Sequence, residues 1–403
     1  MKSLAIFRLA VLLLLSAVIL SCEPEEGPMP LTADPTPPGP ITNVEVNNMP
    51  GRVELRYTLP SSENLLYVRA NYTLESGREM EVKASYYNNS MVLEGFRGGE
   101  QAVPVQVSTV NRSEVASEPI EVMVSPAPAP IFDVKESLSL TPDFGGLRVQ
   151  AENPTGTDVA ILIMIRDDAG DWEPIPNSIY TSQDTVNQAI RGYDTTALDL
   201  AIVVRDRWLN NTDTLFQTIQ PLFETLIPTS GYRPIKLAND PPPFSYHQIE
   251  DLWDGLLTWP DVYLTLRDNP AENHTVTMDM GTVAKLSRVK MWQFPEPIGG
   301  IQTYYYLGVM KHFKIWGRTD QPDPSGSWDG WIELGEYIVE KPSGLPYGQQ
   351  SNEDVLKGQS GEDFQIPLDA PPVRFIRIQN LENWAGRESL AISEMLLYGD
   401  PNQ

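Results

Sequence analysis

The chain has 403 residues, with 54 acidic against 29 basic side chains, a formal net charge of −25, three histidines and one cysteine. That charge excludes nucleic acid as a partner, because binding there depends on Lys and Arg displacing counterions from phosphates, and it argues against anionic membrane surfaces. A single cysteine excludes an internal disulfide, and the length exceeds one ordinary core, so two or three domains are expected.

Met1 to Ser21 combines a basic start (Lys2, Arg8), an apolar run from Leu9 to Leu20 and a small residue before Cys22. This reads as a secretory signal over 1–21, too short and too one-sidedly flanked for a stable spanning helix. Cys22 is then a free thiol, a partner for another chain or a target of modification. The run Ile19-Leu20-Ser21-Cys22 resembles a bacterial lipobox, which implies cleavage before Cys22 and lipidation of it. Several acyl chains, each CH2 worth ~0.8 kcal/mol on insertion, make a durable anchor in the outer membrane. An ordinary signal peptide that happens to contain a cysteine is the plain alternative. Glu23-Pro24-Glu25-Glu26 resembles the acidic tract that sends lipoproteins to the outer face of that membrane, so the expected location is the cell exterior. Residues 22–40, acidic and then proline-rich ("GPMPLTADPTPPGP"), read as a stiff tether.

From 41 to 125 short β-branched and aromatic runs alternate with turn residues: "VEVNN", "RVELRYTL", "EMEVKASYY", "MVLEGF", "VPVQVSTV". A period of two with frequent turns is the pattern of an antiparallel sandwich, and the order of runs resembles a fibronectin type III domain. After "SPAPAP" a second sandwich is expected over 131–224, with "GLRVQAENP", "VAILIMIRDD" and "DLAIVVRDRW" as strands. Val159 to Ile165 is apolar nearly throughout and reads as a strand covered on both faces, although pattern alone leaves a buried helix open. In "VVRDRWLNNTDT", Asp206 and Trp208 either line a site or close a turn in which Asn210 and Asn211 take left-handed backbone. The turn is the preferred reading.

Residues 229–400 carry "IEDLWDG", "HTVTMDMGTVAKLSRVKMWQ", "YYYLGVMKHFKIWGRTDQ" and "PVRFIRIQNLENWAGRESLAISEMLLYG". "TVTMDMG" alternates as a half-buried strand ended by Gly281, and Trp316, Trp328 and Trp331 read as core and turn-packing residues. This succession resembles the discoidin, or coagulation factor 5/8 type C, domain, a galactose-binding-like jelly roll. The expected fold class is therefore all-β: two fibronectin III/immunoglobulin-like sandwiches followed by a discoidin-like jelly-roll sandwich. The resemblance implies a carbohydrate site on end loops, where an aromatic ring lies under a sugar and polar groups read its hydroxyls. In "ENWAGRE" it points to Trp384, with Arg387 and Asn383 beside it. The alternative is that Trp384 seals the barrel end and Arg387 pairs with a surface carboxylate. In "IQTYYYL" alternation exposes either Tyr305 or its neighbours, and Tyr305 is taken as the fourth contact. The resemblance further implies a structural Ca2+ near Asp254 and Glu394. No other cofactor is expected.

The whole series resembles surface lipoproteins encoded with glycan-uptake systems of the starch-utilisation type, with segments similar to the domains of unknown function 4959, 5126 and 5000 in that order. It implies a non-catalytic glycan-binding lipoprotein that assists polysaccharide capture, or else a structural component that docks neighbouring outer-membrane uptake proteins. Catalysis finds little support: no nucleophile elbow, P-loop or zinc spacing occurs in the sequence.

Overall fold

In the computed structural model, residues 34–99, 101–166, 169–266 and 274–403 are described. The signal segment, Cys22 and the start of the tether lie outside these residues. The chain folds into three β-sandwiches in series, with two short α-helices, Ile131–Ser137 and Asn352–Ser360, among the described residues. The all-β expectation holds.

In the first sandwich, strands Thr42–Met49, Arg52–Thr58 and Ser90–Glu94 form one sheet. The other contains Glu79–Ser85, Leu65–Thr73, Val103–Asn111 and Ile120–Val124. Strict alternation sends Val53, Leu55 and Tyr57 inward onto Val68, Ala70 and Val107, while Arg52 and Arg56 face water. The tether expected to run to residue 40 is shorter, because 34–40 lies on this sandwich. Asn111 Nδ2 donates to the carbonyls of Asp34 and Thr36 at 2.9 Å each, and the Gly39 amide donates to Ser62 Oγ at 3.0 Å. A proline-rich segment lacks amide protons but keeps its carbonyls, and here side-chain amides satisfy them.

The proline-rich break between the first two sandwiches is strapped down as well. The Gly51 amide donates to Ala127 O at 3.0 Å, the Ala129 amide donates to Arg97 O at 2.9 Å, and a Cβ on Gly98 (φ 78°) would stand 2.2 Å from Ala127 O. From the other side the turn after Leu198–Asp206 reaches across. Asp206 accepts amide protons from Trp208 and Asn210 at 2.8 and 2.9 Å, Trp208 packs on the first core, and Asn210 Nδ2 donates to Gly95 O at 3.0 Å. The turn reading of this segment stands, but the left-handed residue is Leu209 (φ 69°), not Asn210 or Asn211.

The second sandwich pairs Ser139–Asp143, Gly146–Glu152 and Thr185–Arg191 against a five-stranded sheet centred on Val159–Arg166 and Leu198–Asp206. Val159, Ile161 and Ile163 face the core. The opposite side of the same strand is only partly covered, contrary to expectation, since Ala160 is buried but Leu162 and Met164 are half-buried.

In the third sandwich one 19-residue strand, Thr275–Gln293, belongs to both sheets. Thr275–Asp279 pairs with the Val373–Asn383 strand, and from Lys285 onward the chain pairs with Ala391–Asp400. Gly281 does not end the strand as its sequence suggested. It sits at φ 77° in the register break after Asp279, where a Cβ would meet Gly231 O at 2.5 Å, so glycine bends the strand from one sheet into the other. Thr225–Leu226, arriving from the second sandwich, pairs with Gly399 and Tyr398. Beside it Glu224 accepts from Arg191 Nη1 at 2.9 Å, Ser287 Oγ at 2.5 Å and Arg288 Nε at 3.3 Å, and so joins the second and third domains.

Candidate functional site

Antiparallel pairing collects loops at one end of the third domain. Gln293 pairs with Ile392, Met310 with Asn383, and Val309 bridges Ala391, whereas Lys285 and Asp400 lie at the end that meets the second domain. The loop end is therefore distal.

The loop 384–390 is built by Asn383. Its side-chain amide donates to Ser389 O at 2.8 Å and Ser389 Oγ at 3.1 Å, and its Oδ1 accepts from the Ala385 and Arg387 amides at 3.0 and 2.9 Å. With every polar atom engaged and 1% exposure, Asn383 is the keystone of the loop. The expectation that it contacts ligand is corrected: it has no free donor or acceptor to offer. Tyr305 is corrected too. The "TYYYL" segment is a turn with Tyr305 at φ 52° and Leu307 at φ 45°, so strand alternation does not apply. Tyr305 is fully buried, with its ring set edge-on to Trp384 at 5.4 Å, and burial pushes its hydroxyl pKa up.

Trp384 and Arg387 remain at the surface of this loop, half-buried and exposed respectively. Trp384 divides its ring between two roles. It packs on the domain core, yet Lys311 Nζ stands 5.9 Å above the ring and pairs with Glu382 at 3.1 Å. The Trp384 and Ala385 amides donate to Val309 O and Leu307 O at 3.0 and 3.2 Å, which locks this loop to the tyrosine turn.

The tyrosine that reaches solvent from that turn is Tyr306. It stacks on Tyr347 with centroids 4.7 Å apart and planes at 19°, and Tyr347 is 47% exposed. Tyr347 lies on the 342–350 loop, which Lys341 organises by donating to the carbonyls of Leu345 at 3.2 Å, Pro346 at 3.3 Å and Gln349. Gln350 fastens the same loop to the turn, accepting from the Tyr304 amide at 3.0 Å. Sequence reading missed Tyr347. Its signal was an aromatic set between Pro346 and Gly348 in a turn-rich stretch, a usual place for an exposed ring.

Asp254 and Glu394 do come together. The Gly255 amide donates to Glu394 Oε2 at 3.1 Å and the Leu256 amide to Asp254 Oδ1 at 2.8 Å. Glu394 is 4% exposed, and burial, with the Asp254 charge adding to it, pushes its carboxyl up to about 7. No group of three or more His, Cys, Asp or Glu side chains converges on a metal position among the described residues.

Three family models match in chain order, each a domain of unknown function: DUF4959 over residues 38–126, DUF5126 over 127–230 and DUF5000 over 253–399. A solved SusE-like protein is 31% identical, over 67% of this chain and 98% of that one, with a TM-score of 0.44. The chain belongs to the SusE-like family. The 31% identity over 98% of that chain carries the assignment. The SusE-like chain is also similar to a CBM32 module of a GH31 protein bound to GalNAc, at 14% identity and TM-score 0.26, over 41% of this chain and 95% of that one. A two-domain fibronectin type III segment of chicken tenascin shows 14% identity and TM-score 0.22, over 45% and 99%. No curated protein matches.

Proposed function

We propose that this SusE-like chain is a non-catalytic, glycan-binding lipoprotein of the outer membrane, anchored through Cys22, facing the exterior and assisting polysaccharide capture for uptake. The observation that carries this is the set of half-exposed rings at the distal end, Tyr306 stacked on Tyr347 with Trp384 alongside, held by backbone hydrogen bonds. Rigid rings present an apolar face to a sugar at little entropic cost, and Arg387, Lys311 and Glu382 stand near to read hydroxyls. His247 and His274 are buried and His312 pairs with Glu336 at 2.6 Å, so the histidines serve the fold. No helix among the described residues is long and apolar enough to cross a membrane.

The test is affinity-gel retardation on a panel of polysaccharides. Tyr347→Ala and Trp384→Ala are each expected to weaken binding about tenfold, and full retardation in both variants would move the site elsewhere. A structural Ca2+ belongs to the same proposal. Glu394, a buried carboxylate with one amide donor and a second carboxylate beside it, fits a ligand role, and Asp254 would supply the other acidic oxygen.

A second reading, docking of a neighbouring outer-membrane uptake protein, is favoured by one face. On the outer side of the second sandwich, Met164 pairs with Ala201 and Ala201 with Phe216, Leu162 with Val203, and Ala160 with Tyr180. Phe216 is 65% and Tyr180 69% exposed, whereas the same domain's other sheet shows Arg148, Gln150 and Asn187 to water. A partly uncovered apolar sheet face with two large exposed rings suits an interaction surface. Phe216→Glu with Tyr180→Glu is expected to release an uptake protein that co-purifies with the detergent-extracted chain and to leave glycan retardation unchanged. Unchanged co-purification would count against docking at this face.

A further inference from the structure

The distal end carries three more exposed rings that the site above does not use. Phe244 is 41%, Tyr246 58% and Trp259 46% exposed. Beneath them lies His247, 1% exposed, with its ring 4.6 Å from Tyr246, 4.9 Å from Trp259 and 6.2 Å from Phe244, and neither ring nitrogen has a hydrogen-bond partner. Its Nδ1 stands 3.8 Å from Asp251 Oδ2, beyond hydrogen-bond reach, and the ring packs as a support that fixes the rings above it. The loops are pinned independently: the Phe244 amide donates to Leu264 O at 2.7 Å, and Ser393 Oγ donates to Leu257 O at 2.9 Å. Three large rings held rigidly in water are costly unless something covers them.

Their position relative to the first set follows from strand pairing. Leu264 pairs with Ala391, and Val309 bridges Ala391 from the other side. The two aromatic sets are thus attached on opposite flanks of one strand, to segments about 10 Å apart at the strand spacing of a sheet. They share a floor, since Leu264, Phe294, Val309 and Ala391 form one buried cluster on which Trp384 packs, and Trp259 lies 6.4 Å from Phe294. A single sugar ring does not span both sets, but a chain of them does.

Charge narrows the class. From residue 237 to 266 the sequence holds neither Lys nor Arg, and besides Asp240, whose carboxylate pairs with the buried Arg377, it holds Glu250, Asp251, Asp254 and Asp261. Such a surface repels uronates, sulfated sugars and anionic lipid headgroups. We propose that Phe244, Tyr246 and Trp259 form a second sugar station, and that the ligand is an uncharged polysaccharide whose internal units lie across both stations. This rests on the glycan-binding reading and adds the ligand's length and charge to it.

The test uses the full chain in detergent with amylopectin, xylan and glucomannan as neutral probes, polygalacturonate as an anionic one, and phosphatidylcholine–phosphatidylglycerol vesicles. A neutral polymer is expected to bind, with its constituent monosaccharide failing to compete and its oligomers gaining affinity with length. Tyr246→Ala, at an exposed position, is expected to weaken polymer binding about tenfold, and with Tyr347→Ala about a hundredfold. If the polymer binds but the monosaccharide competes equally, or Tyr246→Ala changes nothing, the second station is overturned and the glycan reading survives. Preference for polygalacturonate overturns the charge argument. If no polysaccharide binds, or only vesicles do, the glycan reading falls and the station with it.

Discussion

Arg377→Met is expected to cost the C-terminal domain about 3–5 kcal/mol, seen in urea as an earlier unfolding step of that domain with the other transitions in place. The side chain is fully buried, yet it is an arginine in the middle of a strand. Its Nη2 donates to Asp240 Oδ1 at 3.1 Å and Asn239 Oδ1 at 2.9 Å, its Nη1 donates to Gly326 O at 3.1 Å, and the guanidinium lies 4.1 Å from the Trp328 ring. It therefore ties three separated segments together from inside. Methionine keeps the stem volume but leaves Asp240, 6% exposed, without its counter-charge. Removing one partner of a buried pair is what makes the loss large. Arg377→Met with Asp240→Asn is expected to recover part of it, and a double variant no more stable than the single one would show that the pair is not coupled.

Glu394→Gln is expected to stabilise the protein at pH 8 in EDTA by up to about 3 kcal/mol, from the gap between an ordinary carboxyl and one raised to about 7. The sign follows from where the proton sits. At acid pH the carboxyl is neutral folded and unfolded alike, so its contribution is fully present. As the pH rises from about 4.5 to about 7 the unfolded chain ionises first, and the folded state loses stability until the buried carboxyl ionises too. Thermal midpoints should thus fall across that window in the wild type more than in the Gln variant. At pH 7.5, millimolar Ca2+ is expected to raise the wild-type midpoint and not that of the variant. An unmoved midpoint would remove calcium from the proposal.

Much of the fold was legible because a half-buried strand writes its two faces into the sequence as alternation. "RVELRYT" needed nothing more to be placed as a strand. Legibility failed where a residue type has two uses. Gly281 reads as a stop, yet its positive φ also permits a bend that keeps the strand going. Leu162 and Met164 read as buried because apolar character does not say which face has a cover. At the site, Asn383 looked like a ligand contact because an amide in an end loop suits hydroxyls equally well, but the loop itself consumed every bond it makes. Tyr305 was assigned by a period that holds only in extended backbone. The pairing of Tyr306 with Tyr347, and of Tyr246 with Trp259, is a tertiary meeting of separate loops, which local pattern does not encode.

The joint at Glu224 has a mechanical consequence. A force applied at the distal loops would run along the Ala391–Asp400 strand, and that strand ends against Thr225–Leu226 in antiparallel register. Tension parallel to paired strands shears all the bridging bonds at once instead of opening them one after another. The cation-and-carboxylate knot of Arg191, Glu224 and Arg288 lies beside the same seam and shares that load. The second and third domains are thus joined in the geometry that best resists a pull along the strands.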